Sequence, residues 1–435
     1  MQRQSAKIGL VHHVGGGNLG DDATLDVVVH NIKRRWSHAV MVAFSMNPAD
    51  TRDRHGIPSY PLRAKTWAFG YQPPRGVTGF KAALKTLASK HSLPSRLLRA
   101  ANAVAIRGPK GLFREASFLA ASARAMRSVD LLIISGGGQL TEWGGPWGFP
   151  YTIFKWVFLA RCLRVRCLFW NVGAGPLSHP LSRFFVVRAL LSADYVSFRD
   201  RESRDLVQQI GFTRENHVCP DTAYSLEVAS PEAGSFRTRR QPVVGLAPMP
   251  YCDPRVYPAE KNQFVYDQMI RKLAVFASWL LERSHSLELF GTDIGVDPLA
   301  IADLQIALRD RQHIDSPHYG VHDSVKSLDA LLAAMSGMDY VITCRYHGVI
   351  FAHLLNKPVL ALAHHPKVAN IMSDLGLSAY CVDLRGFDVN ALMDRFAALV
   401  RNADEIRSRM KTSLAIYRQR LAAQFDSVFP QSSPL

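Results

Sequence analysis

Tyr340-Val341-Ile342-Thr343-Cys344-Arg345-Tyr346-His347-Gly348 is the stretch that decides how this chain is read. An apolar run ends, an Arg and a His follow two residues apart, and a Gly precedes a new apolar helix from Val349 to Leu355. A strand feeding directly into a helix predicts a parallel sheet, and open α/β sheets bind ligands at the carboxyl ends of their strands. Arg offers phosphate or carboxylate a planar fork. His exchanges a proton near neutral pH. A purely structural reading stands beside this one, with Arg345 capping the sheet edge and His347 bonding at the helix start.

Five more turns of the same kind follow short apolar runs. Ile8 to Val11 leads to Gly15-Gly16-Gly17-Asn18-Leu19-Gly20-Asp21-Asp22, and Leu131 to Ile134 leads to Ser135-Gly136-Gly137-Gly138. Cys167 to Trp170 leads to Gly173-Ala174-Gly175-Pro176, and Tyr195-Val196 leads to Ser197-Phe198-Arg199-Asp200-Arg201. Val359 to Ala363 leads to His364-His365-Pro366-Lys367. Short apolar strands separated by helical patterns predict parallel sheets covered on both faces, which places these turns on one rim.

Composition agrees. The 435 residues predict two or three domains, and 48% apolar with 20% charged residues is enough for sizeable cores. The six Cys show no Cys-x-x-Cys pair, so reduced thiols in a cytoplasmic protein are expected. Ile8 to Val14 is too short for a signal peptide and reads as the first strand. Lys155, Arg161, Arg164 and Arg166 break the apolar stretch from Tyr151 to Trp170, which reads as a core helix and then a strand.

Charge is uneven within a net +16, since Arg54 to Arg114 holds twelve Lys or Arg and no Asp or Glu. The segment reads as a solvated insertion, or as a basic surface that docks on anionic lipid at the inner face of the cytoplasmic membrane. No nucleic-acid partner is expected, because the chain lacks a nucleic-acid module and strong interleaving of aromatics with the basic residues. A first α/β unit spans 1–228, with the basic insertion at about 52–125. A turn-rich linker covers 229–242. A second unit spans 243–401, and helical spacing marks 402–435 as a terminal helix that could cross back. The ligand crevice falls between the domains.

The ordered set of turns resembles the polysaccharide pyruvyl transferase family. The residues that carry it are Asn18-Leu19-Gly20-Asp21-Asp22, Gly136-Gly137-Gly138, Gly173-Ala174-Gly175-Pro176, Ser197-Phe198-Arg199-Asp200, Pro220-Asp221 and Arg345-Tyr346-His347-Gly348. The resemblance covers roughly 7–50 and 128–380. It departs at Tyr346, where the family commonly has an aliphatic residue, and at the basic insertion, which has no counterpart.

The resemblance implies two Rossmann-like α/β domains in a glycosyltransferase-B-like arrangement. It also implies transfer of pyruvate from phosphoenolpyruvate to sugar hydroxyls as a ketal, in making exopolysaccharide or a cell-surface glycan. The acceptor would be a sugar, in some pathways a lipid-linked oligosaccharide. A donor with a phosphate and a carboxylate needs at least two cationic groups, and Arg345 and Arg199 supply them from different domains. His347 is the expected proton donor and Asp21 the expected base. Asn18, Gly20, Gly137, Gly348, Asp221 and Lys367 complete the expected substrate-binding set. No metal and no cofactor is expected, since arginines can stabilise the developing charge.

Other readings remain open. The Gly15 to Gly20 turn holds an anion on its amides, or is a plain turn with Asp21 or Asp22 as helix cap. Gly136 to Gly138 permits close backbone approach rather than specific contact. Arg201 pairs with Glu202 or Asp205 on a helix face. Asp221 is a loop hydrogen bonder or an acceptor ligand. Adjacent pairs His12-His13 and His364-His365 point to opposite faces and make poor metal sites. A nucleotide-sugar-dependent glycosyltransferase and an inactive sugar- or lipid-binding scaffold are the alternatives in function.

Overall fold

The computed structural model describes residues 6–64, 111, 113–228, 241–256, 261–311 and 317–430. Two parallel sheets organise them. The first runs β3-β2-β1-β4-β5-β6-β7, from β1 Lys7–Val11, β2 Val40–Ser45, β3 Ser59–Pro61, β4 Leu131–Ser135, β5 Arg166–Val172, β6 Tyr195–Phe198 and β7 His217–Val218. The second runs β10-β9-β8-β11-β12-β13, from β8 Val243–Ala247, β9 Ser286–Leu289, β10 Tyr319–Val321, β11 Tyr340–Thr343, β12 Val359–Ala363 and β13 Cys381–Asp383. Strands β4, β8 and β12 are buried at every position, as sheets covered by helices on both faces require.

In each sheet the strand order reverses at one place, between β1 and β4 and between β8 and β11. Such switch points open crevices beyond the strand ends. The glycine turns after β1 and β4 occupy the first, and Arg345 to Gly348 occupies the second. The helix after β11 starts at Tyr346, earlier than its apolar run predicts, so His347 and Gly348 sit in its first turn. Gly348 permits this, because a Cβ there would lie 2.2 Å from Thr343 Oγ1.

The two domains share packing. One apolar cluster fills the second domain and takes in Leu19, Ala23, Ala223 and Tyr224 from the first. The terminal helix Ala403–Val428 starts against the second domain through Ile406 and Met410. It ends on the first, where Phe425 packs on Trp170 with ring centroids 4.6 Å apart. Near that end Gln424 Nε2 donates to Asn171 Oδ1 (2.8 Å) and Tyr195 Oη (2.9 Å), and Asn171 Nδ2 donates back to Gln424 Oε1 (2.9 Å). Gln424→Leu strands these buried groups and is expected to cost about 2 kcal/mol. Urea unfolding should show a lower midpoint with an unchanged slope; a wild-type midpoint would make the network dispensable.

The linker expected at 229–242 lies outside the described residues up to position 240; Gln241 and Pro242 lead into β8. Residues 65–110 and 112 of the basic insertion also lie outside them. The Tyr151 to Trp170 stretch resolves into the helix Phe149–Cys162 and most of β5. No helix among the described residues is long and apolar enough to cross a membrane. All six cysteines are free thiols.

Candidate active site

The glycine turn after β1 forms a seam between domains. Leu19 N donates to Thr292 O of the second domain (3.0 Å), and Ile294 N donates to Gly17 O (2.9 Å). Gly20 N donates to Asn18 Oδ1 (3.0 Å), while the amides of Asp21 and Asp22 donate to Asn18 O (3.0 and 3.2 Å). These amides of the helix start are therefore occupied, and the cap is Asn18, not Asp21 or Asp22. Gly17 holds φ +85°, which only glycine adopts without strain, and its missing Cβ lets Gly295 of the other domain approach.

Gly20 is the tightest point. A Cβ there would lie 2.0 Å from His347 Nδ1 and 2.5 Å from His347 Cβ. Gly20 serves as the floor under the His347 ring. His347 is 7% exposed, and its Nε2 has no hydrogen-bond partner among the described residues. Burial lowers its pKa to about 4, with Arg199 and Lys367 adding repulsion and Asp221 opposing them.

Arg345 is held by carboxylates that sequence reasoning missed. Its Nη2 donates to Asp297 Oδ1 (2.5 Å) and lies 3.6 Å from Asp293 Oδ2. Asp297 is fully buried, and its Oδ2 accepts from the amides of Thr292 (3.1 Å) and Asp293 (2.9 Å). Burial raises the Asp293 pKa to about 6 against the pull of Arg345. The signal was present: Gly291-Thr292-Asp293-Ile294-Gly295-Val296-Asp297 is another glycine-bracketed turn after a short strand, β9.

Arg199, at the end of β6, crosses the seam in the other direction. Its guanidinium carbon lies 4.3 Å from the centroid of the Tyr346 ring, a cation–π contact between domains. Nε donates to Asp200 Oδ2 (3.2 Å) and Nη1 to Asp221 Oδ2 (3.5 Å). Burial opposes the charge, but Tyr346, Asp221 and Asp200 raise the Arg199 pKa. Asp221 is buried and also caps the turn after it, accepting from Ala223 N (3.0 Å). Arg201 is not the partner of Asp205, whose carboxylate takes Arg204 (2.7 Å).

Lys367 and Asp21 complete the group. Burial first, and then Arg199, lowers the Lys367 pKa to about 8; Arg345 adds to this and Asp21 opposes it. Burial and the neighbouring Asp22 raise Asp21 to about 7, against the pull of Lys367 and Arg199. Gly137 stands beside this carboxylate, since its missing Cβ would meet Asp21 Oδ1 at 3.1 Å, and its φ is +54°. Gly136 takes φ +66° where a Cβ would meet His12 Nε2 at 2.6 Å, so this turn allows close approach. His12 Nε2 faces Thr24 Oγ1 (2.9 Å), and His13 packs on Phe149 with centroids 3.9 Å apart.

The result is a cavity of about 260 Å³ lined from both domains, with Arg199, Asp200 and Asp221 on one side and Tyr346 and Lys367 on the other. Asp21 and His347 do not line this cavity but interact with Arg199 and Lys367 from beside it. A cationic cleft thus stands next to a carboxyl near neutrality and a buried imidazole with one free nitrogen, an arrangement that can bind a small multiply charged anion and move protons beside it.

Solved structures share this architecture. HepE of Anabaena, in complex with UDP and glucose, matches with a TM-score of 0.54 at 13% identity, covering 98% of this chain and 99% of that one. A UDP-N-acetylglucosamine 2-epimerase homologue from Listeria monocytogenes matches with a TM-score of 0.57 at 10% identity, covering 99% and 98%. At such identities the likeness is one of fold, and it makes this an α/β protein of the glycosyltransferase-B-like kind. The family follows from the sequence: the polysaccharide pyruvyl transferase family model matches residues 18–366, and the chain belongs to that family. It is a transferase.

Proposed function

We propose that the protein moves pyruvate from phosphoenolpyruvate onto two hydroxyls of a sugar acceptor as a ketal, in building a polysaccharide or cell-surface glycan. The observation that carries this is the meeting of His347, with its free buried Nε2, and the charged set Arg199, Lys367 and Asp21 at the domain seam.

Phosphoenolpyruvate brings a phosphate and a carboxylate. Arg199 and Lys367 face them, and Arg345, held by Asp297, adds positive charge. The incoming negative charge favours protonated His347 and reverses the depression that burial imposes. His347 then gives its proton to the methylene carbon, leaving an oxocarbenium-like carbon next to the carboxylate. A sugar hydroxyl adds there and loses its proton to Asp21. The carbon–oxygen bond to phosphate breaks, the second hydroxyl adds and gives its proton to the departing phosphate, and the proton held on Asp21 restores His347. One ketal and one inorganic phosphate leave, with one proton kept in the new methyl group.

The free protein sets the pH dependence. Asp21 must be ionised and His347 and Lys367 protonated, so kcat/KM for the donor should be level between about 4 and about 7, fall above about 7 and fall more steeply above about 8. The limbs are apparent values of interacting groups. Asp21→Asn should remove the level region, so that activity declines from about 4 upward, and Lys367→Arg should remove the steeper fall above about 8. A flat profile between pH 6 and 9 (about the range that these groups span) would remove both from the site.

The deciding assay compares phosphate release from phosphoenolpyruvate with nucleotide release from nucleotide sugars, each with pyranoside acceptors. Acceptor-dependent phosphate release supports the pyruvyl reading. Nucleotide release alone would replace it with the glycosyltransferase reading, and neither would leave a binding scaffold. The reading places the protein in the cytoplasm, at the inner face of the membrane, where a lipid-linked sugar would be presented.

A further inference from the structure

A strip of aromatic rings crosses the surface of the first domain on the packed helices Phe149–Cys162 and Pro180–Leu191. Trp147 meets Phe185 at 5.6 Å between centroids, Phe185 meets Phe154 at 5.2 Å, and Phe154 meets Phe158 at 6.1 Å and Phe184 at 6.4 Å. The outer rings face solvent: Trp147 is 61% exposed, Phe158 57% and Phe184 49%. Isolated exposed apolar residues are ordinary, but a connected strip marks an interaction surface.

Its charge says what kind. From Trp143 to Ala193 the chain carries Lys155, Arg161, Arg164, Arg166, Arg183 and Arg188 and no Asp or Glu. Arg188 lies 5.6 Å above the Phe184 ring. The carboxylates at the margins are engaged: Glu115 with Lys155 (2.7 Å), Asp194 loosely with Arg161 (3.8 Å), and Glu142 with Ser178 and His179. Both described ends of the acid-free segment Arg54 to Arg114 also arrive here. Arg63 Nη2 donates to Trp147 O (3.0 Å), and Phe118, just past the other end, packs edge-on to Trp156 at 6.3 Å.

We propose that this strip docks the protein on an anionic lipid surface, with Trp147, Phe158 and Phe184 at headgroup depth and Arg161 and Arg188 on the phosphates. Aromatic rings favour the membrane interface, and basic residues add electrostatic attraction to anionic headgroups. A protein partner of ordinary composition would bring apolar area without the uniform negative charge that this rim matches. The inference deepens the placement at the membrane proposed above and needs nothing of the pyruvyl chemistry.

The test is co-sedimentation of the full chain with phosphatidylglycerol-containing and pure phosphatidylcholine vesicles, at low and high salt. The wild type should pellet with the anionic vesicles and be released by salt. Arg161→Ala/Arg188→Ala should weaken anionic binding about 30-fold. Trp147→Ser/Phe158→Ser/Phe184→Ser should weaken it at least about 10-fold, with near-ultraviolet circular dichroism confirming the fold. The arginine pair leaves the rings in place, so it decides the matter if the triple variant misfolds. Wild-type partitioning by both variants, or no anionic preference in the wild type, overturns the proposal. Loss of a dimer in sedimentation velocity without loss of vesicle binding would make the strip a self-interface and overturn it equally.

Discussion

His347→Ala is expected to give a folded protein that still binds phosphoenolpyruvate but turns it over about 100- to 10,000-fold more slowly. The imidazole has a buried nitrogen with no partner among the described residues, and its ring is held against Gly20 of the opposite domain. Leaving a buried polar atom open is unfavourable, and such atoms concentrate where a ligand completes the bonding. The anion-binding groups Arg199 and Lys367 stay in place in this variant, so affinity should hold while kcat falls. Removal of the buried ring leaves a cavity against Gly20, Tyr346 and Phe351, offset in part by the loss of an unsatisfied polar atom, so stability should fall by about 1–3 kcal/mol. A folded His347→Ala protein that turns over near the wild-type rate would take His347 out of the chemistry.

Gly20→Ala should be nearly as damaging, although it adds a single methyl and no charge. The new Cβ would lie 2.0 Å from His347 Nδ1 and 2.5 Å from its Cβ. Rotation of the ring cannot relieve the second contact, because the His347 Cβ is fixed to a helix buried throughout. The seam must open instead. Overpacking of this kind typically costs about 1–3 kcal/mol. Displacing a reacting group by about 1 Å costs about 100-fold in rate. Thermal melts and phosphate release measured on the same preparation check both effects. A wild-type melting temperature with full activity would show that the seam is looser than the packing indicates.

Much of the site was legible in the sequence because parallel sheets put their chemistry at strand ends. Arg199, Arg345, His347 and Lys367 each follow a short apolar run, and each lies at such an end. The glycine turns were legible as turns, but their use was not. Nothing in Gly15 to Gly20 says that Leu19 N bonds Thr292 or that Asn18 is the cap. Asp297 went unnoticed because one Asp in a helix's first turn reads as a dipole partner, and its burial beneath Arg345 is a tertiary fact. Tyr346 looked like a departure from the family pattern. Its meaning lies in Arg199, which sits on another domain.

The sequence by itself determined two covered parallel sheets, the turns that close their strands, and a family in which those turns recur in order. Those properties are local: apolar run length, helical period and glycine placement act within about twenty residues of chain. The tertiary structure alone decided which turns meet. Domain apposition sets Gly20 under His347, Arg199 on Tyr346 and Gln424 against Asn171, and these contacts depend on the packing of two cores and a crossing helix. The same burial moves His347 down to about 4 and Asp21 up to about 7, shifts that no local pattern encodes, because desolvation depends on everything that surrounds the charge.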